Sequence, residues 1–110
     1  MTIDGLWIVQ FQGPQGDSGG VVVLTRGQVL GGDSGFTYDG TFDFKDGIFT
    51  AKVSVKNFDP AIPNVLGVPS PFQLLIDAKL QGNTINGTGA LAIAPDSKIV
   101  IRLKKSVDLK

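Results

Sequence analysis

The chain has 110 residues, ten basic and ten acidic side chains, and neither histidine nor cysteine. Balanced charge leaves no field to hold a phosphate backbone, so nucleic acid is a poor partner. Without cysteine there is no disulfide scaffold or thiolate metal site, and without imidazole the commonest general base is missing.

This length suits one domain, residues 1–110, burying roughly two thirds of the surface that the unfolded chain exposes. The opening Met1-Thr2-Ile3-Asp4-Gly5 carries neither the basic region nor the apolar stretch of a signal peptide, and no later run is long and apolar enough to span a bilayer. A cytoplasmic protein without a membrane partner is therefore expected.

Eight short apolar runs follow, nearly all ended by Gly or an Asp/Asn-Gly-type turn, and none keeps a helical period beyond about two turns. Strands are predicted over residues 5–12, 19–26, 28–32, 35–44, 48–57, 72–81, 84–92 and 99–105. Between them, Gly16-Asp17-Ser18-Gly19, Arg26-Gly27, Asp33-Ser34-Gly35, Lys45-Asp46-Gly47, Gly82-Asn83 and Pro95-Asp96-Ser97 carry residues that tolerate positive φ or preset a turn. Only residues 58–71 make a long connection, and four of the six prolines fall there, at Pro60, Pro63, Pro69 and Pro71, which keeps it out of a central strand. The predicted fold is all-β: an eight-stranded antiparallel up-and-down β-barrel.

In the middle strands the faces separate cleanly. Phe36, Tyr38, Phe42 and Phe44 oppose Thr37, Asp39, Thr41 and Asp43; Phe49, Ala51, Val53 and Val55 oppose Thr50, Lys52, Ser54 and Lys56. Phe72, Leu74, Ile76, Ala78 and Leu80 repeat the pattern. Phe36, Tyr38, Phe42, Phe49, Val53, Phe72, Leu74 and Ile76 are thus the expected lining of any cavity, unless they fill it. In the long connection, Ile62, Val65, Leu66 and Val68 form a candidate lid over the mouth, with a plug at the barrel bottom as the alternative.

The first, second and last strands read as apolar on both faces, through Leu6 to Val9, Val21 to Leu24, and Ile99 to Ile101 with Leu103. Closure would make them neighbours with a continuous apolar exterior, and no amphipathic helix remains to cover it. Ile8, Val22 and Val100 are therefore the candidate surface of a symmetric homodimer. A monomer with scattered surface aliphatics is the alternative.

Two motifs suggest chemistry that the chain does not complete. Gly16-Asp17-Ser18-Gly19-Gly20 spells the serine-protease nucleophile segment, but no histidine exists to take the Ser18 proton. Asp17-Ser18-Gly19 and Asp33-Ser34-Gly35 resemble the paired loops of aspartic proteases, and both can lie at one end of the barrel, yet turn formation alone explains them. No catalytic residue is assigned and no enzyme is expected. Asp33, Asp39, Asp43 and Asp46 match no calcium-loop spacing, so neither metal nor cofactor is expected. Asn86-Gly87-Thr88 matches a glycosylation sequon that has meaning only on secretion, and Gly87 and Gly89 are expected to mark a bulge or a close backbone approach.

Gly5-Leu6-Trp7 in the first strand, with Arg102 in the last, resembles the calycin (lipocalin-like) signature of Gly-x-Trp and a basic residue over the indole. That resemblance implies a Trp7–Arg102 pair sealing one barrel end, at about 0.5 to 2 kcal/mol. Over nearly the whole chain, Asp4-Gly5-Leu6-Trp7, Gly19-Gly20-Val21-Val22, Gly27, Gly31-Gly32-Asp33, Tyr38-Asp39-Gly40 and Ile62-Pro63-Asn64-Val65 are similar to the GrlR-like family of small lipocalin-like barrels. The resemblance implies a bacterial negative regulator of type III secretion that holds a transcriptional activator by protein contact, through an acidic Glu-Asp-Glu-Asp hairpin segment. Here the matching place is Phe44-Lys45-Asp46-Gly47, where Asp46 alone is acidic, so that binding surface does not carry over. The expectation is a non-enzymatic regulatory or adaptor barrel acting through protein–protein contacts, with a carrier of a small hydrophobic ligand as the alternative.

Overall fold

The computed structural model describes residues 3–13, 16–61 and 71–109. It contains β1 (Gly5–Gly13), β2 (Gly16–Thr25), β3 (Gln28–Gly32), β4 (Phe36–Lys45), β5 (Ile48–Asn57), β6 (Phe72–Gln81), β7 (Thr84–Leu91) and β8 (Ala94–Asp108). Each strand pairs antiparallel with the next and β8 returns to β1, giving a closed eight-stranded barrel. No helix long and apolar enough to cross a membrane occurs among the described residues.

Three hairpins follow directly from their turn residues. Arg26 and Gly27 both have positive φ, as do Asp46 and Gly47, which is the type I′ geometry whose twist matches the flanking strands. Gly82, with φ 65°, leads the Gly82-Asn83 turn in the glycine-first manner of type II′. Two expected turns lie elsewhere. Gly16 to Gly20 belongs to β2, paired with Val9 to Gly13, so the protease-like segment is strand rather than loop. At the other site the chain turns at Ala92 and Ile93, and Pro95 to Ser97 fall inside β8, where a register shift opposite Ala90 and Leu91 absorbs them. A proline is tolerated at such an irregularity because no ladder donor is required there.

The inward faces of β4, β5 and β6 are those expected from alternation, with Phe36, Tyr38, Phe49, Val53, Val55, Phe72 and Leu74 all buried. Closure then decides the ambiguous strands. Trp7, Val22 and Leu24 face the core with Ile99, Ile101 and Leu103, whereas Ile8 and Val21 point outward. Val22, expected on a dimer surface, is only 4% exposed, because it stands opposite Trp7 and shares its face; its neighbour Val21 is the exposed residue. The outer face of β8 is not apolar either, since Val100 shares it with exposed Lys98, Arg102 and Lys104. Val100 is exposed, but its β1 neighbour is Gln12, not Ile8.

Closing a barrel of eight strands demands sharp local coiling, and inward-facing glycines supply it. At Gly40, between Val29 and Val53, a Cβ would run into the Lys52 carbonyl oxygen and come within 2.8 Å of Val53 Cα. Gly87 makes the same kind of close approach to Asp77 and Ala78, as expected from the sequence.

Where β1 begins and β8 ends, the barrel is sealed. The Trp7 indole Nε1–H donates to the Ile3 carbonyl at 2.9 Å, folding the preceding segment beneath the core, and Ile3 itself is buried. The Lys105 ammonium sits 5.5 Å from the Trp7 ring centroid. Arg102 does not reach Trp7: lying between inward-facing Ile101 and Leu103, it points outward, and its Nε donates to Asn86 Oδ1 at 3.2 Å.

Candidate functional site

A cavity of about 110 Å³ occupies the other half of the barrel, toward the end where β1 meets β2, β3 meets β4, and β5 leads away from the wall. Its walls are the inward side chains of β1, β2, β3, β4, β5, β6 and β8, and they are overwhelmingly aliphatic or aromatic. Of the eight side chains expected to line a cavity, Phe36, Tyr38, Phe49, Val53, Phe72, Leu74 and Ile76 do so. Phe42 does not; it stacks on Phe49 with ring centroids 5.4 Å apart, nearer the sealed half. The expected lid residues Ile62, Val65, Leu66 and Val68 lie outside the described residues.

Alternation could not identify all of the remaining wall. The start of β1 and the end of β2 are apolar on both faces, so for Val9, Val22 and Leu24 only the pairing in the closed barrel shows which side looks inward; Phe11, Ile101 and Leu103, which alternate with Gln10, Gln12, Arg102 and Lys104, complete the wall. Ser18, Asp33 and Ser34 are the polar rim, brought together because β2 and the β3–β4 turn end side by side. The two Asp-Ser-Gly segments thus do share one end of the barrel. Their carboxylates do not form a pair, since Asp17 lies on the exposed side of β2 while Ser18 turns toward the cavity.

Asp33 is held by its own turn. Its Oδ1 accepts the backbone N–H of Gly35 and of Phe36, each at 2.9 Å, while its own N–H donates to the Phe36 carbonyl at 2.9 Å. Such a side-chain-capped turn is what an Asp-Ser-Gly sequence favours. Its Oδ2 accepts the Tyr38 hydroxyl, and the Tyr38 ring meets Phe11 edge to face at 6.4 Å. Burial, then the hydrogen bond to Asp33 and its negative charge, push the Tyr38 phenol well above its ordinary range, so it remains a donor at any physiological pH. No cationic side chain pairs with Asp33 among the described residues.

A second surface lies outside the barrel. Leu6, Val23 and Leu30 align across β1, β2 and β3, with Ile8 and Val21 as the next rung; Ile8, Val21 and Leu30 are each close to half exposed. This patch spreads toward β3 rather than β8. Asp46 is exposed at the tip of the β4–β5 hairpin, at the sealed end and away from both features.

Comparison of the chain with models of known protein families finds no match, and comparison with curated proteins finds none either.

Proposed function

We propose that this chain is a non-enzymatic binding barrel whose interior takes one small, mainly apolar ligand. The observation that supports this reading is the cavity of about 110 Å³ walled by Val9, Phe49, Val53, Phe72 and Ile101 and reaching a polar rim at Ser18, Asp33 and Ser34. Concave apolar sites with a few converging polar groups are the usual form of small-molecule pockets, and eight-stranded barrels have room for one small ligand. Engineered apolar cavities of roughly 150 Å³ admit benzene, so the smaller volume here corresponds to a short alkyl chain. Charged Asp39, Asp43, Lys52 and Lys56 cover the outside of β4 and β5, the reverse of a membrane barrel, which carries its apolar band outward.

Native mass spectrometry of protein purified from cells, followed by titration of the stripped protein with short alcohols, tests this directly. A retained small-molecule mass, or saturable shifts of the Val53 and Ile101 methyl resonances, is the expected result. No retained mass and no shift with any probe overturns it.

A second reading, a regulatory or adaptor protein that self-associates or docks a protein partner, is favoured by one observation: the outer rungs formed by half-buried Leu6 and Val23 with exposed Leu30, and by exposed Ile8 and Val21. Sizing over a wide concentration range tests self-association, and a monomer at the highest concentration removes the homodimer.

A further inference from the structure

Resting on the reading of the barrel as a small-ligand binder, we propose that the cavity selects a ligand with a positively charged ammonium head, seated on Asp33, and a short hydrocarbon body against Val53, Phe72 and Ile101. Asp33 and Tyr38 are the only ionisable residues of the wall among the described residues, and Tyr38 gives its hydroxyl hydrogen to Asp33. The cavity therefore presents one carboxylate at the edge of an apolar space.

An ionised carboxylate has about four acceptor positions. Three are used here, by the Gly35 and Phe36 N–H groups on Oδ1 and the Tyr38 hydroxyl on Oδ2, which leaves one on Oδ2. These bonds also hold the carboxylate in place before a ligand arrives, so binding carries little cost for ordering it. With no cation beside it among the described residues, Asp33 lacks the partner that a carboxylate at an apolar edge favours most, a charge-assisted donor. The hydroxyls of Ser18 and Ser34 share the rim and can accept the remaining N–H groups of an ammonium.

The same arrangement discriminates against fatty acids and other anions. Among the described residues no lysine or arginine lines the cavity, so a ligand carboxylate would meet Asp33 with no cation between the two like charges. A neutral alcohol can enter, but it forms only a neutral donor bond to the carboxylate. Head-group charge, not hydrocarbon length alone, is thus the selecting feature.

Three five-carbon probes, pentylammonium, 1-pentanol and pentanoate, decide the matter when titrated at neutral pH and followed through the Val53 and Ile101 methyl resonances. Pentylammonium is expected to bind roughly tenfold tighter than 1-pentanol, with pentanoate weakest. In Asp33→Asn, which keeps an oxygen to accept the turn N–H groups, the ratio of amine to alcohol affinity should fall to about one. Pentanoate binding as tightly as the amine, or a preference that survives in folded Asp33→Asn, overturns the proposal while leaving a ligand-binding barrel standing. Failure of all three probes to bind removes both. Should Asp33→Asn fail to fold, the ranking of the three probes on the unaltered protein still decides.

Discussion

The Lys105 ammonium lies over the Trp7 ring, 5.5 Å from its centroid, at the barrel end away from the cavity. Gly5 makes this possible: a Cβ there would stand 3.1 Å from Lys105 Cε and 2.5 Å from the Val107 carbonyl oxygen, so glycine lets the lysine stem pass close to β1. The Gly-x-Trp pair and its cation therefore form one unit, with Lys105 in the place expected of Arg102.

That unit should be measurable. Lys105→Met keeps the stem and removes the charge, and should lower stability by about 1 kcal/mol in urea denaturation. Loss of the accompanying bond to Asp108 adds little, because Asp108 is 77% exposed. Arg102→Ala, changing an exposed residue bonded to Asn86, should stay within about 0.5 kcal/mol of the parent. The opposite order would mean that Arg102, not Lys105, covers the indole.

Tyr38 gives the barrel a sensitivity to alkali. Its folded-state pKa is raised above the unfolded value of 10.0 by burial, by the bond to Asp33 and by the charge of Asp33. Between the two values the folded form holds more protons than the unfolded form, so this contribution is complete below about pH 10 and declines as pH rises above it. Tyr38 is the only tyrosine, so phenolate absorbance reports it alone. The folded protein should show no phenolate at a pH where denatured protein already does, and Tyr38→Phe should lose the part of the alkaline destabilisation that is not due to lysines.

Gly40 tests the closure of the wall. Gly40→Ala would place a methyl against the Lys52 carbonyl and Val53 Cα, and should cost about 2 kcal/mol or more. Thr41→Ala, one residue along on the exposed face, should change stability by no more than about 0.5 kcal/mol. Equal small effects in thermal or urea unfolding would contradict the close approach of β4 to β5.

Val21 and Val22 test the register of β2. Val22→Asp buries an unpaired carboxylate beside Trp7 and should cost about 4 kcal/mol or more, while Val21→Asp should be tolerated within about 1 kcal/mol. If the outer face mediates self-association, Val21→Asp should also shift the sizing profile toward monomer without loss of fold.

How much of this was legible depended on contrast between the two sides of each strand. In β4, β5 and β6, Thr, Asp and Lys alternate with Phe, Tyr, Val and Leu, and a period of two assigns each side chain to a face without further information. The turns at Arg26-Gly27, Asp46-Gly47 and Gly82-Asn83 were equally local, because residues tolerant of positive φ mark them. The succession of such hairpins pointed to an up-and-down barrel, and the pairing of β8 with β1 is what closes it.

Where both faces are aliphatic, local pattern carries no sign. Whether Val21 or Val22 faces the core is settled by pairing with β1 across nine residue pairs, a long-range choice that a slip of one residue would invert. The same parity aims Arg102 at solvent and Lys105 at Trp7. The Asp33–Tyr38 bond needs the turn to curl back over β4, and the cavity is what remains between the side chains that seven strands contribute to the barrel interior. Alternation and turn chemistry act between near neighbours and so are written in the chain; parity in two-sided strands, rim polarity and empty volume are sums over distant residues and exist only once the barrel has closed.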